Sequence, residues 1–249
     1  GNPVTTTSIY NLIHFLERKW GVHYAMGGTG ALINGLNKLM IEEKIIIKKK
    51  SEVTKIITEK NKAIGVEINQ NKEIFADKII INADPTYTYK HLLKTPYNKK
   101  WNNKRLDKLD YSMGLFVIFF GTKKIYKKIA HHTIWMGNRY EGLLNDIFKK
   151  KILADDFSLY LHRPTATDKS MAPKGCDSFY VLSPVPNLKG NLDWEKSGDE
   201  YKNKILLALE KTIMPELKKN LDVCFYMTPE NFKNDYLSTY GSGFSISPI

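Results

Sequence analysis

Residues 21–36 read GVHYAMGGTGALINGL, with Gly27, Gly28 and Gly30 crowded ahead of an apolar helical pattern. Glycine-rich turns that open helices often hold phosphates, because bare backbone N–H groups and the helix dipole both favour an anion there. A Rossmann turn needs a preceding strand, the spacing G-x-G-x-x-G and an acidic residue about twenty positions on. Here the glycines spell GGTG, HYAM makes a poor strand, and Lys38 is badly placed for a phosphate-loop lysine. The residues alone favour a tight turn whose missing side chains let a helix start close to another backbone.

Other chemistry-bearing residues are sparse. His131 and His132 are adjacent, and neighbours on a strand face opposite sides, so they are expected on a surface or loop and not as metal ligands. His162 and Arg163 precede Pro164 without a recognisable partner set. Asp155 and Asp156 read as solvated turn acids, and Arg139 and Tyr140 in GNRYEG as residues that order a loop. Asp84 precedes Pro85 and suits a turn or a helix cap. Cys176 and Cys224 stand far apart, with neither metal-ligand spacing nor a disulfide framework, so a reducing cytoplasm is the expected compartment. No metal site is expected, and no catalytic residue can be assigned from the pattern.

The elements around these residues follow from periodicity. Ile9, Leu12, Ile13, Leu16 and Trp20 share one face of a helix that Gly21 stops. A second helix over 31–43 should turn Leu32, Leu36, Leu39 and Met40 inward. Strands are expected from 45–48 on to 57, over 63–69 and over 73–82, with Asn- and Lys-rich turns between them. Residues 86–111 look helical and basic, 112–121 read as a buried strand, and 140–148 as a short helix. Strands should follow at 157–162, 179–183 and 221–228, with a helix over 194–219 that Pro215 kinks or ends.

Composition bounds the partners. The 249 residues are 42% hydrophobic and 26% charged, enough for a sizeable core. The longest apolar runs, 45–47, 79–81 and 115–120, fall far short of the ~20 residues of a spanning helix. The net charge of +12 invites nucleic acid or an anionic membrane. The excess is mostly scattered Lys without a recognition motif, so nucleic acid is not the expected partner.

Taken in order, GGTGALINGLNKL, KKKSEVTKI, AIGVEI and EIFADKIIINADPTYTYKHLL resemble the bacterial-type phytoene desaturases, a branch of the FAD-dependent carotenoid and amine-oxidase-like oxidoreductases. NPVTTTSIYNLIHFLERKWGV, HHTIWMGNRYEGLLNDIF, DDFSLYLHRPTATDKSMAPKGCDSFYVLSPVPNL and YGSGFSISPI resemble further blocks of the same family, so the likeness covers nearly the whole chain. The family's N-terminal dinucleotide fingerprint and C-terminal FAD block have no counterpart here. The resemblance therefore implies an internal fragment of an α/β flavoprotein, α+β in its substrate region. A mixed substrate-domain sheet with flanking helices would accompany a β-hairpin portion of the cofactor domain. The implied boundaries are 1–44 for substrate-domain helices and the glycine turn, 45–85 for the strand–hairpin–strand part of the FAD domain, and 86–249 for the substrate-binding domain.

The resemblance further implies FAD in the full-length parent, with Val53, Asn82, Ala83, Asp84, Gly27 and Gly28 near it and Gly30 beside them. Val53 would offer backbone groups, for which an exposed strand edge suffices. The implied reaction removes two hydrogens across a carbon–carbon bond of a long apolar polyene such as phytoene. The protein would sit in the cytoplasm, peripheral to a membrane, and residues 90–108, with Tyr97 and Trp101 among the lysines, could dock on anionic lipid. The fragment alone is expected to be inactive. Two alternatives stay open: another flavin oxidoreductase of the group, an amine oxidase or an isomerase, and a non-enzymatic basic module that binds lipid or nucleic acid.

Overall fold

Alternation of side chains along 114–122 and 177–185 dictates the centre of the molecule. The computed structural model describes residues 7–93 and 100–247. In chain order its elements are α1 (Asn11–Trp20), α2 (Gly28–Glu42), β1 (Val53–Glu59), β2 (Lys62–Ile68), β3 (Lys72–Phe75), α3 (Pro85–Tyr87), α4 (Asn103–Lys108), β4 (Gly114–Thr122) and β5 (His132–Trp135). There follow α5 (Tyr140–Asn145), β6 (Leu159–His162), β7 (Asp177–Val185), α6 (Trp194–Thr212), α7 (Leu217–Asn220), β8 (Leu221–Met227) and α8 (Pro229–Tyr236).

Strands β1, β2 and β3 form an antiparallel meander. Lys60 and Asn61, both left-handed, turn the first hairpin, as a two-residue loop between right-twisted strands requires. The strand expected at 45–48 does not form, and the one expected over 73–82 stops at Phe75. Runs of isoleucine pair as interior strands buried on both faces, and among the described residues no strand lies beside either run. Ile46 is 82% exposed and Ile80 96%. The same holds for the first two helices: Leu32, Leu36 and Leu39 are exposed on α2, Leu12 and Trp20 on α1 and Ile9 in the turn before it, contrary to the inward packing the periodicity predicts, because no described element covers them. The basic stretch expected as one helix is broken into α3, a wider turn at Thr88–Leu92, and α4. Its residues 94–99, Tyr97 included, lie outside the described residues.

The second sheet has the order β5-β6-β7-β4-β8, and all its pairings are antiparallel where the resemblance implies a mixed sheet. The reason is topological. The crossover β7–α6–β8 leaves β7 and β8 parallel, but β4 lies between them and runs against both. One face of this sheet is closed by α6. Phe116, Ile118, Val181, Leu159 and Leu161 pack against Trp194, Tyr201, Ile205 and Leu209. The Phe116 ring lies 5.5 Å from Trp194, 5.0 Å from Tyr201 and 5.1 Å from Tyr226. Gly198 permits this approach, since a Cβ there would stand 2.8 Å from the Tyr226 hydroxyl. α6 ends at Thr212, just before Pro215, as the sequence predicts. β5 and α8, which the periodicity does not reveal, complete the fold. β5 is a short edge strand, and α8 starts with Thr228 and Asn231 capping each other's end of the first turn. Among the described residues no helix is long and apolar enough to cross a membrane.

A buried ion pair fixes one end of the sheet. Arg163 Nε donates to both Asp177 oxygens, at 3.0 and 2.9 Å, and Arg163 Nη1 donates to the Ile129 carbonyl at 2.8 Å. Asp177 also accepts from the Tyr126 N–H at 2.8 Å and from the Thr165 hydroxyl. Both side chains are nearly inaccessible, so removing one charge strands the other in a dry environment. Asp177→Asn should lower unfolding free energy by about 3–5 kcal/mol, read as a shifted midpoint in urea denaturation. A loss below about 1 kcal/mol would place the pair in solvent, as exposed pairs contribute only that much.

Candidate functional site

Period-two alternation gives the large sheet a second face, and among the described residues no helix closes it as α6 closes the first. The registers align two rows across all five strands. The first is Ile134, Tyr160, Leu182, Val117 and Met227. The second is His132, His162, Tyr180, Phe119 and Phe225. The second row is a run of neighbouring rings. His132 and His162 centroids lie 5.3 Å apart, His162 and Tyr180 4.6 Å, Tyr180 and Phe119 6.0 Å, and Phe119 and Phe225 5.2 Å. Ile134 is 62% exposed and Phe225 55%, and neither row contains a carboxylate, an ammonium or a guanidinium. An apolar, aromatic surface this wide, rimmed by histidines, is the candidate binding surface of the described residues.

The glycine turn sits at the histidine end of this face. Gly27 and Gly28 have φ of 84° and 73°, a region open to glycine. The Gly27 N–H donates to Asp168 Oδ2 at 2.6 Å, and Gly28 packs against Met171. A carboxylate of this chain therefore occupies the N-terminus of α2 where a phosphate would bind, which supports the packing role read from the residues. Among the described residues nothing lies within 4 Å of where a Cβ on Gly30 would stand. Hydrogen bonds from Ser170 and then from Gly27 hold the Asp168 carboxyl below the usual carboxylate range. Just before the turn, Tyr24 stacks edge-on to His131 at 4.6 Å; burial and then the Asp168 charge raise its phenol pKa.

The histidines do not diverge as the sequence predicts. His131 precedes β5 in a loop, where strand alternation does not apply, and its ring lies 4.5 Å from His132. One ring nitrogen from each of His131, His132 and His162 falls within 4.8 Å of the others. His131 Nε2 is hydrogen-bonded to His162 Nε2 at 2.9 Å, and His131 Nδ1 to Thr167 Oγ1 at 2.5 Å. His132 Nδ1 meets the Tyr160 hydroxyl at 2.6 Å. Among the described residues His162 Nδ1 is buried without a partner, as is the Tyr24 hydroxyl. Burial, then the neighbouring imidazoles His131 and His132, push the His162 pKa down to about 4; burial and then His132 lower that of His131. Burial, then the hydrogen bond to Tyr180, raises the Tyr160 phenol pKa far above the usual range.

The other expected site residues lie apart from this cluster. Val53 opens the edge strand β1 and is 36% exposed. Asn82 and Ala83 are exposed. Asp84 caps α3 by accepting the Tyr87 N–H at 2.8 Å, and also accepts the hydroxyls of Thr239 and Ser245 at 2.7 Å each, so both its oxygens are engaged. Arg139 orders its loop as read from the sequence, bridging Asp156 at 2.6 Å and the buried Asp146 at 3.2 Å. Sequence reasoning misses Tyr24, Asp168 and Asp177. The alternation of Leu159 and Leu161 with Tyr160 and His162 is the signal that could reveal an open polar-aromatic face.

The chain is 42% identical to a neurosporene-forming phytoene desaturase of Rhodobacter capsulatus, with all of this chain and 48% of that protein aligned. It is 43% identical to a lycopene-forming phytoene desaturase of Pseudescherichia vulneris, covering 51% of it. Over its whole length the chain is homologous to phytoene desaturases. It spans about half the length of the curated relatives it matches. No protein-family model matches it. A Pyrococcus furiosus protein of 20% identity superposes with a TM-score of 0.56 over 85% of this chain and 45% of its own. An oxidoreductase of Methanosarcina mazei, 17% identical, gives 0.53 over 82% and 43%. The two structures share the fold of this desaturase homologue.

The Asp168 contact predicts a titration. Because the folded carboxyl is held low, its hold on the turn is complete above the ordinary value of 3.8 and is lost as pH falls through the lowered one. The Gly27 amide proton resonance should move with a midpoint below 3.8 and should lose this step in Asp168→Asn. A midpoint at or above the ordinary value would contradict the contact.

Proposed function

We propose that this chain is part of an FAD-dependent phytoene desaturase, an oxidoreductase acting on carbon–carbon single bonds in carotenoid biosynthesis. The observation that carries the proposal is the open aromatic face running across all five strands of the large sheet. A long polyene offers only apolar area and polarisable π-electrons, and the rings from Tyr180 to Phe225 offer the same. An amine substrate would require a carboxylate or a caged cation site, and neither row supplies an acid.

The residues present fit a flavin dinucleotide. Two unpaired isoleucine runs flank a meander whose edge strand begins at Val53, an arrangement suited to completion by further strands. Gly30 leaves room for a close neighbour at the glycine turn. Val53, Asn82, Ala83 and Asp84 would hold the cofactor through backbone groups, since the Asp84 side chain is already engaged. Gly27 and Gly28 would serve by permitting close packing. When bound, the flavin supplies the hydride acceptor. The sheet then orients the polyene along its rows and excludes water from it. We assign 1–44 to the helices and turn beside the substrate, 45–85 to the cofactor domain and 86–249 to the substrate domain.

A hydrocarbon substrate resides in the bilayer, so the protein would work at a membrane surface, peripherally and from the cytoplasmic side. Trp101, flanked by Lys100 at 5.8 Å and Arg105 at 4.7 Å, is the docking element proposed on the described part of the basic segment. Expression of the full-length gene in cells that accumulate phytoene should yield coloured carotenoids; colourless extracts despite soluble, flavin-loaded protein would refute the desaturase reading. Membrane affinity in liposome flotation should weaken by about 10²-fold or more when Lys100, Lys104 and Arg105 become Glu, at about 1 kcal/mol per basic residue near an anionic surface.

A further inference from the structure

We propose that His131, His132 and His162 form a binding site for one divalent transition-metal ion of the zinc class, held by three imidazoles with a fourth position left for water. The proposal is independent of the desaturase reading and uses only the geometry at the histidine end of the large sheet. Three imidazoles are a donor set that zinc takes at four-coordinate sites with one open position. Among the described residues, this is the one group of three or more His, Cys, Asp or Glu side chains whose ligand atoms converge.

The backbone brings the three rings together. His132 and His162 are directly opposed in the β5–β6 pairing, so their side chains leave one face of the sheet as close cross-strand neighbours. Their ring centroids lie 5.3 Å apart. His131 comes from the loop just before β5, where the Arg163 N–H holds its carbonyl at 2.8 Å. Its ring stands 4.5 Å from that of His132 and 4.7 Å from that of His162. One nitrogen of each ring lies within 4.8 Å of the others, and the Nε2 atoms of His131 and His162 are 2.9 Å apart. Nitrogens bound at about 2.0–2.1 Å to a tetrahedral ion stand roughly 3.4 Å from one another. The closest pair has to open by about half an ångström, and the widest to close by at most about 1.4 Å. His132 is exposed, so its ring is free to make that movement and the ion can enter from solvent.

The surroundings suit a dication. A ligating imidazole is neutral and donates its other N–H to an outer partner, which fixes the tautomer. Thr167 Oγ1 stands 2.5 Å from His131 Nδ1, and the Tyr160 oxygen 2.6 Å from His132 Nδ1. Each oxygen can accept that hydrogen and leave Nε2 bare toward the ion; the Tyr160 hydroxyl is itself hydrogen-bonded to Tyr180. The ion then takes the place of the hydrogen shared in the 2.9 Å contact. His162 lacks an outer partner among the described residues, since its Nδ1 is buried without one. Loss of one such partner weakens metal binding roughly 10- to 100-fold, so the site should hold zinc less tightly than a fully supported one. Arg163, next to His162, would repel a cation were its charge not neutralised by Asp177 at 2.9 Å. The ion would tie β5, β6 and the loop before β5 together at the corner where Tyr24 stacks on His131.

Two measurements test this. Zinc chloride titrated calorimetrically into the metal-stripped full-length protein should bind at one ion per chain and raise the melting temperature. His132→Ala, at an exposed position, should weaken that binding by more than roughly 10²-fold and abolish the rise, and Thr167→Val should weaken it by roughly 10- to 100-fold. Wild-type protein that takes up no zinc, or a His132→Ala variant of unchanged zinc affinity, overturns the proposal. Cobalt(II) added to the wild type gives a check that needs no variant. The intense visible absorption of four-coordinate cobalt, at wavelengths beyond the flavin bands, supports the three-imidazole site; the faint spectrum of six-coordinate aqueous cobalt overturns it.

Discussion

The buried pair of Arg163 and Asp177 is the constraint from which the geometry of the histidine end follows. Arg163 immediately follows His162 at the end of β6, and Asp177 starts β7. One guanidinium thus ties the strand carrying His162 to the strand carrying Tyr180. The same side chain captures the Ile129 carbonyl, two residues before His131, and the Arg163 N–H donates to the His131 carbonyl at 2.8 Å. A single desolvated ion therefore fixes both rings of the hydrogen-bonded imidazole pair. Its desolvation is offset by a full set of partners, without which a buried charge is untenable.

The large sheet works because its two faces have different fates. Toward α6 every second residue is buried in a dense aromatic cluster around Phe116. The alternate residues form two largely apolar rows, part-exposed through most of their length and most exposed at Ile134 and Phe225, with Val117 buried between them. In an ordinary antiparallel sheet the solvent face is polar. Here it is apolar and aromatic over the full width, with the ionisable groups collected at one end. That asymmetry separates an apolar stretch of the face from its ionisable corner and keeps the two within one row of rings.

The unpaired isoleucine runs, the exposed stripes of α1 and α2, and the free edge of β1 share a physical signature. Each is a segment whose sequence encodes burial and whose surroundings do not supply it. Such segments retain strand or helix chemistry without the neighbours that would repay their ordering entropy. They stand around the meander and the glycine turn, while the 114–227 sheet and its helix close on themselves.

Local pattern was enough for much of this. β4, β7, β8, α6 and the first hairpin are legible because period two, period 3.6 and turn chemistry act over a few neighbouring residues. The blocks around the glycines also carry the family likeness on their own. The paired state of 45–48 and 76–82 was illegible, since a strand exists only with a partner. Four residues that matter most at the site, Tyr24, Asp168, His131 and His162, are brought together by contacts spanning 31 to 141 positions. Sequence alone treated His131 and His132 as diverging neighbours; tertiary structure decided otherwise, because a loop residue held by its carbonyl to Arg163 is free of the strand's alternation. Which nitrogen carries a hydrogen, which end of a helix is already occupied and which sheet face stays open are set by long-range packing, and no local periodicity encodes them.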